Sequence, residues 1–159
     1  MSIEIARAHL AKYGAADRIM EFDVSSATVE LAAKAVGVPG ARICKTLSFK
    51  LKDGSGVLIQ AAGDARIDNK KYKAYFGEKA HMLSAEEVPQ YTNHEIGGVC
   101  AFGLTRDDVK VYCDESMRRF ETIFPACGSS NSAIELTMDE IYEFSGSVAW
   151  IDVTKLPEE

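Results

Sequence analysis

Apolar residues recur along the chain with two periods, and the switches between them lay out the elements. Ile3, Ala6, Leu10 and Tyr13 fall at helical spacing with Gly14 behind them, so a first helix is expected over 3–13. Arg18 to Asp23 alternates with period two and predicts a strand. Ser25 and Ser26 then offer N-cap hydroxyls to a helix carrying Val29, Ala32, Ala33 and Val36, stopped by Gly37 and Pro39. In the next run, Ala41 to Lys50, the residues Ile43, Lys45, Leu47 and Phe49 share one parity. A strand points them the same way, which places an ammonium among three apolar side chains. Asp53-Gly54-Ser55-Gly56 is turn chemistry ahead of Val57-Leu58-Ile59, and together these predict a hairpin.

Asp68 is placed to cap a short helix with Tyr72, Tyr75 and Phe76, closed by Gly77, and Ser84 to Glu87 has capping-box spacing for a helix starting near Ala85. No period is sustained from Tyr91 to Asp108. There Gly97-Gly98-Val99-Cys100-Ala101-Phe102-Gly103 puts three glycines in seven residues, which either free backbone amides to approach a ligand or form a tight turn without one. Strands are expected at Val109–Cys113 and Thr122–Ala126, with a helical turn at Asp114–Ser116 between them. Gly128 to Ser132 links onward to Ala133–Leu136. Thr137 to Glu140 forms a second capping box, and Val148–Val153 reads as an edge strand. About seven strands among four or five helices, with hairpins and no regular βαβ alternation, predict an α+β fold. Its sheet is expected to be mixed and largely antiparallel, surrounded by helices, in a single domain over residues 1–159.

Composition bounds this picture without changing it. A chain of 159 residues with 47% hydrophobic and 26% charged content supports one sizeable core. The start lacks a basic segment leading into an apolar one, and no run approaches ~18 apolar residues, so neither export nor membrane insertion is signalled and the cytoplasm is expected. Cys44, Cys100, Cys113 and Cys127 are scattered singly, as are His9, His81 and His94. Reduced thiols follow, with no metal and no cofactor expected. The net charge of −6 argues against a general nucleic-acid binder, DNA included. Its distribution is uneven. Between Arg42 and Lys79 nine Lys/Arg face four acids, a balance of +5, so the remainder carries −11. Such asymmetry suits one polyanion-facing surface or a solvated basic face.

Neither a Ser-His-Asp nor a Cys-His signature is present, and no phosphate-binding loop or dinucleotide fingerprint. Lys45 has two readings: it snorkels from a strand end into water, or it points into a cleft where a bound ligand compensates its charge. One strand lysine, an amide-rich glycine loop and polar turns at Asp114 and at Gly128 to Ser132 together suit stabilisation of an oxyanion and positioning of water.

Five segments, in order over roughly residues 20–145, carry a family resemblance: Lys45-Thr46-Leu47; Gly63-Asp64 with Ile67-Asp68-Asn69-Lys70-Lys71; Gly97 to Gly103; Val111 to Ser116; and Cys127-Gly128 ahead of Ile134-Glu135-Leu136. In these the sequence resembles the YbaK/EbsC family, the prolyl-tRNA editing domains found free-standing or inserted in prolyl-tRNA synthetases. The resemblance implies a YbaK-like aminoacyl-tRNA deacylase serving translation fidelity. It would cleave in trans the ester of a mischarged tRNA(Pro) or related tRNA bearing Ala, Ser, Thr or Cys, with water as nucleophile. The implied partner is the aminoacyl-tRNA acceptor end, with a synthetase as a second partner it allows. Lys45 and Gly98 take the catalytic positions. Phe22, Thr46, Gly97, Val99, Cys100, Ala101, Phe102, Asp114, Cys127 and Gly128 fall at substrate-binding positions. The sequence departs from the pattern at Ala101, where the loop usually has proline, and at Ala133 and Phe22, which stand where cysteine-specific members carry aspartate and tyrosine. Cys127 occupies a serine position. Asp114 either orients the Lys45 ammonium or caps a turn. The alternative function is a non-catalytic tRNA- or small-ligand-binding module that retains the pocket.

Overall fold

The computed structural model describes residues 2–157, and its elements follow from local chemistry along the chain. Helices run over Ser2–Ala11 (α1), Val29–Val36 (α2), Asn69–Phe76 (α3), Glu87–Thr92 (α4) and Met138–Phe144 (α5). Asp68 caps α3 by accepting from the Lys70 and Lys71 amides, and Thr137 with Glu140 closes a capping box on α5. Gly37 and Gly77 end α2 and α3 at φ of 85° and 77°, a conformation glycine adopts without strain. The cap of α2 is Thr28, which accepts from the Leu31 amide, and not the expected Ser25-Ser26 pair. Ser26 is drawn aside because its amide donates to the Ser130 carbonyl at 2.6 Å.

Among the described residues ten strands form: Met20–Glu21 (β1), Ile43–Lys50 (β2), Gly56–Ala62 (β3), Arg66–Ile67 (β4), Val109–Asp114 (β5), Thr122–Pro125 (β6), Ser132–Ala133 (β7), Leu136–Thr137 (β8), Ser147–Ile151 (β9) and Thr154–Lys155 (β10). Six build the main sheet in the order β8-β6-β2-β3-β5-β9, while β1 pairs with β7 and β4 with β10. The pairing is mixed: β2–β3, β6–β8, β1–β7 and β4–β10 are antiparallel, and β2–β6, β3–β5 and β5–β9 are parallel. The strands beyond the expected seven are two residues long, too short to leave a periodic signal.

β3 is buried along its whole length, which is why it reads as an apolar run interrupted only by the buried Gln60. Residues of the central strands pack on α3 through Phe49, Val57, Ile59 and Tyr72, and on α1 and α5 through Leu10, Ala62, Ile123, Ile141 and Phe144. Each of the Val, Leu, Ile and Phe side chains among them stabilises the fold by about 1.5–3 kcal/mol. The expected hairpin joins β2 to β3, with Lys45 opposite Ala61 and Thr46 opposite Gln60.

The other edge of β2 positions the site. β6 pairs with it only at Ile43 and Cys44, and then ends at Pro125, which has no N–H to continue a ladder. At the far end of β2 the Lys50 amide donates to the His81 carbonyl at 2.8 Å, and the Leu83 amide donates to the Ser48 carbonyl at 3.0 Å. Between these two supports, Lys45 and Thr46 have β3 on one side and a cavity on the other.

Candidate active site

The cavity encloses about 280 Å³. Its walls come from Ser26 to Val29 ahead of and at the start of α2, from Ile43 to Thr46 and Ser48 on β2, and from Met82 and Leu83. Ile96, Gly97 and Val99 of the glycine loop complete it with Phe124, Ala126, Ser132 and Ala133. Lys45 sits between two apolar groups on its strand: Ile43 packs with Ala32 and Phe124, while Leu47 and Phe49 pack with Tyr72. It is half-buried, and its Nζ donates to the Gly63 carbonyl at 3.3 Å. Burial lowers the Lys45 pKa below its usual 10.5. The Asp64 carboxylate opposes that shift and the Arg66 charge reinforces it. Asp64 is itself committed elsewhere, accepting from both terminal nitrogens of Arg119 at 3.1 and 2.6 Å, which holds its carboxyl below the usual range. The lysine is therefore left with one weak acceptor and an open cavity in front of it, where a ligand oxygen would gain a charge-assisted hydrogen bond.

Gly63 holds that acceptor in place. A Cβ there would overlap the Gly40 carbonyl oxygen and come within 2.9 Å of Val29 Cγ1, so this contact between the β3–β4 turn and the approach to β2 requires glycine.

The glycine loop is pinned at its base. Asn93 Nδ2 donates to the Gly103 carbonyl at 2.9 Å, and His94 Nε2–H donates to the Phe102 carbonyl at 2.6 Å. Gly97 takes a φ of 98° and faces the cavity. Gly98 lies behind it, where a Cβ would meet the backbone of Gly128 and Ser129 at 2.6–2.9 Å. The Gly98 amide is already used, donating to the Glu95 carbonyl at 3.1 Å.

The sequence profile described as the aminoacyl-tRNA editing domain matches residues 23–144. The chain belongs to this family. It is 55% identical over 155 residues to YwhH of Bacillus subtilis (strain 168), an uncharacterized protein, covering 98% of each. It is 34% identical over 92 residues to the proline–tRNA ligase of Thermosipho africanus, a match taking in 57% of this chain and 16% of the ligase. Among solved structures, a candidate trans-editing enzyme for prolyl tRNA synthetase superposes with a TM-score of 0.86 at 26% identity, covering 97% of both chains.

Within this editing domain the structure divides the residues singled out from sequence. Lys45, Thr46, Gly97 and Val99 line the cavity. Cys100, Ala101, Phe102 and Cys127 are buried in the apolar core behind it. Burial pushes the Cys100 thiol up to about 12 and the Cys127 thiol well above its usual value, so neither is a ready nucleophile. Gly128 serves as the surface on which Gly98 rests. Phe22 is half-buried outside the cavity wall, its amide donating to the Asn131 carbonyl at 2.8 Å. Asp114 caps a turn: fully buried, it accepts from the Ser116 amide at 2.9 Å, the Val153 amide at 3.0 Å and the Thr154 hydroxyl at 2.7 Å. Sequence reasoning did not single out Ser26, Ser48, Phe124 or the Gly63 carbonyl as parts of the site, whereas Ser132, on the cavity wall, belongs to the Gly128 to Ser132 turn that it named. Ser26 read as a helix cap, and a backbone acceptor leaves no side-chain signal.

Among the described residues no group of three or more His, Cys, Asp or Glu is placed to hold a metal ion, and no helix is long and apolar enough to cross a membrane. The arrangement offers one ammonium, main-chain amides and several hydroxyls around a small space. It can hold an ester and orient water against it.

Proposed function

We infer that the chain is a deacylase acting in trans on mischarged aminoacyl-tRNA, on tRNA(Pro) or a related tRNA carrying a small amino acid such as Ala, Ser, Thr or Cys. The observation that carries this reading is the Lys45 ammonium, half-buried on a cavity of about 280 Å³ that holds no activated side-chain nucleophile. That volume lies at the small end of ligand sites, which fits an aminoacyl group better than a long side chain. Water attacks the ester. Lys45 donates to the ester region or to the terminal nucleotide, and Gly97 and Val99, which line the cavity from the loop, offer their amides as further donors. Gly98 supports the loop and leaves the donor role to its neighbours, since its own amide is engaged.

The acceptor end has a basic path to follow. Lys70, Lys73 and Lys79 border a second cavity of about 450 Å³, and none of the three forms an ion pair among the described residues. Lys79 lies four positions before Leu83 on the first cavity, at most about 14 Å of chain. Backbone phosphates near the 3′ end fall within that span, so the lysines carry the sequence-independent part of tRNA affinity.

The test is release of amino acid from a panel of tRNAs charged with Ala, Ser, Thr or Cys. Release from at least one of them, above the spontaneous rate, is expected. A panel left intact despite salt-dependent tRNA binding would instead establish a binding module that has kept the pocket and lost the chemistry.

A further inference from the structure

The unpaired edge of β2 is itself a binding group. Across the hairpin the Leu51 amide donates to the Ser55 carbonyl, which fixes the odd residues of this strand toward β3. Ser48 and Lys50 bond outward to Leu83 and His81, which fixes the even residues toward the opposite edge. Thr46 is even. Its N–H and C=O therefore both project from the edge where β6 has already stopped, into the cavity that Thr46 lines. No described residue bonds either group, and none bonds the Thr46 hydroxyl. On a half-buried residue, a main-chain donor and acceptor without a protein partner are free to pair with a ligand that enters the cavity.

We propose that the main chain of Thr46 reads the N–Cα–C=O unit of the bound amino acid as a one-residue β-pair, restricting the site to α-amino esters whose amine is unblocked. In an antiparallel hydrogen-bonded pair, two residues exchange both N–H···O bonds, so a single amino acid completes the pattern. The amine donates to the Thr46 carbonyl, and the Thr46 N–H donates to the ester carbonyl oxygen. The cavity walls supply no Asp or Glu that would take the amine instead. Lys45, adjacent in the chain, repels an ammonium and attracts the oxygen-rich side of the ester, which fixes the direction in which the ligand lies.

This inference rests on the deacylase reading and names the part of the substrate that the site grips. In the reaction the water oxygen bonds to the ester carbon, and the carbonyl oxygen takes up negative charge against the Thr46 N–H. The bond from carbon to the ribose oxygen then breaks, and that oxygen leaves with a proton from the attacking water. The products are a free amino acid and the tRNA hydroxyl.

The experiment compares aminoacyl-tRNA with its N-acetylated form on the wild-type chain, and wild type with Thr46→Val and Thr46→Pro on the free-amine substrate. Acetylation is expected to cost about 100-fold or more in kcat/KM. Thr46→Pro, which deletes the N–H at an edge position where a strand tolerates proline, is expected to cost about 10²-fold, and Thr46→Val, which keeps the N–H and loses only the hydroxyl, to cost less than Thr46→Pro. Equal rates on both substrates, or a folded and fully active Thr46→Pro, would overturn the assignment while leaving the deacylase reading intact. If Thr46→Pro fails to fold, the acetylation pair decides alone. A parallel measurement titrates the chain with an adenosine whose 3′ amino acid is joined by an unreactive amide, free or N-acetylated. A wild type that hydrolyses nothing yet binds only the free-amine probe would retire the deacylase reading and retain this one. One that binds both probes equally would remove it.

Discussion

Asp114→Asn separates a structural role from a catalytic one. The carboxylate is fully buried and accepts three hydrogen bonds, from the Ser116 and Val153 amides and from the Thr154 hydroxyl. An asparagine can turn its amide either way. One orientation sets an NH₂ against the Ser116 N–H and the other against the Val153 N–H, so one buried main-chain donor is always left unpaired. That costs about 1–3 kcal/mol, and replacing charged by neutral acceptance in the other bonds adds about 1 more, for a total of about 2–4 kcal/mol. For a chain of this size the midpoint of thermal unfolding should fall by roughly 4–16 °C. None of these partners lines the cavity, so kcat/KM for deacylation, measured well below the transition, should stay within about twofold of wild type. The assay pairs thermal unfolding followed by circular dichroism with amino acid release. An unchanged midpoint with activity reduced more than tenfold would refute the reasoning and return Asp114 to the site.

Other expectations follow from the charges. Because burial lowers the Lys45 pKa, the ammonium discharges below pH 10.5, and kcat/KM should fall along an alkaline limb below that value. Lys45→Arg, which stays charged, should move the limb up if it retains turnover, and a limb unmoved by that change would assign it to another group. The stability effect has the opposite sense: the buried charge is unfavourable below its folded pKa, and that cost fades as pH rises toward 10.5. Glu140 is held down to about 2 from 4.5 by the Arg18 guanidinium, with bonds of 2.6 and 3.0 Å. Its contribution is complete above about pH 4.5 and lost as pH falls to about 2. The small stability difference between wild type and Glu140→Gln should therefore shrink over that window, and denaturant midpoints taken from pH 6 to 2 would reveal a constant difference if it does not. Replacing Lys70, Lys73 and Lys79 together by Gln should reduce the slope of log affinity for tRNA against log salt by about 2–3, and an unchanged slope would place the phosphates elsewhere.

The alternation of Arg42 to Lys50, the Asp53 turn and the capping residues at Asp68, Ser84 and Thr137 were legible in sequence because each acts on its immediate neighbours. β1 lies within the alternation of Arg18 to Asp23, whereas β4 and β10 left no such pattern, since they pair with each other across more than 80 residues. Lys45 stood out as an ammonium in an apolar row, yet its acceptor is the Gly63 carbonyl, which no side-chain pattern announces. Gly98 read as a donor because glycines free the backbone, whereas the loop uses that freedom to pack Gly98 itself against Gly128 and Ser129, with its amide on the Glu95 carbonyl. Cys127 and Asp114 read as pocket residues from their place in a family pattern. Cys127 is buried in the core and Asp114 in the turn that it caps, where the pattern records packing as faithfully as contact with substrate.

The rate of amino acid release by wild type and Lys45→Ala, on whichever mischarged tRNA the wild type cleaves, tests most directly whether this editing domain works through its strand lysine. Removing one charge-assisted donor to the ester region should lower kcat/KM by about 10²–10³-fold. The unfolding midpoint should hardly move, because the lysine has a single 3.3 Å hydrogen bond to lose and a burial cost to shed. A Lys45→Ala chain that releases amino acid at the wild-type rate would contradict it.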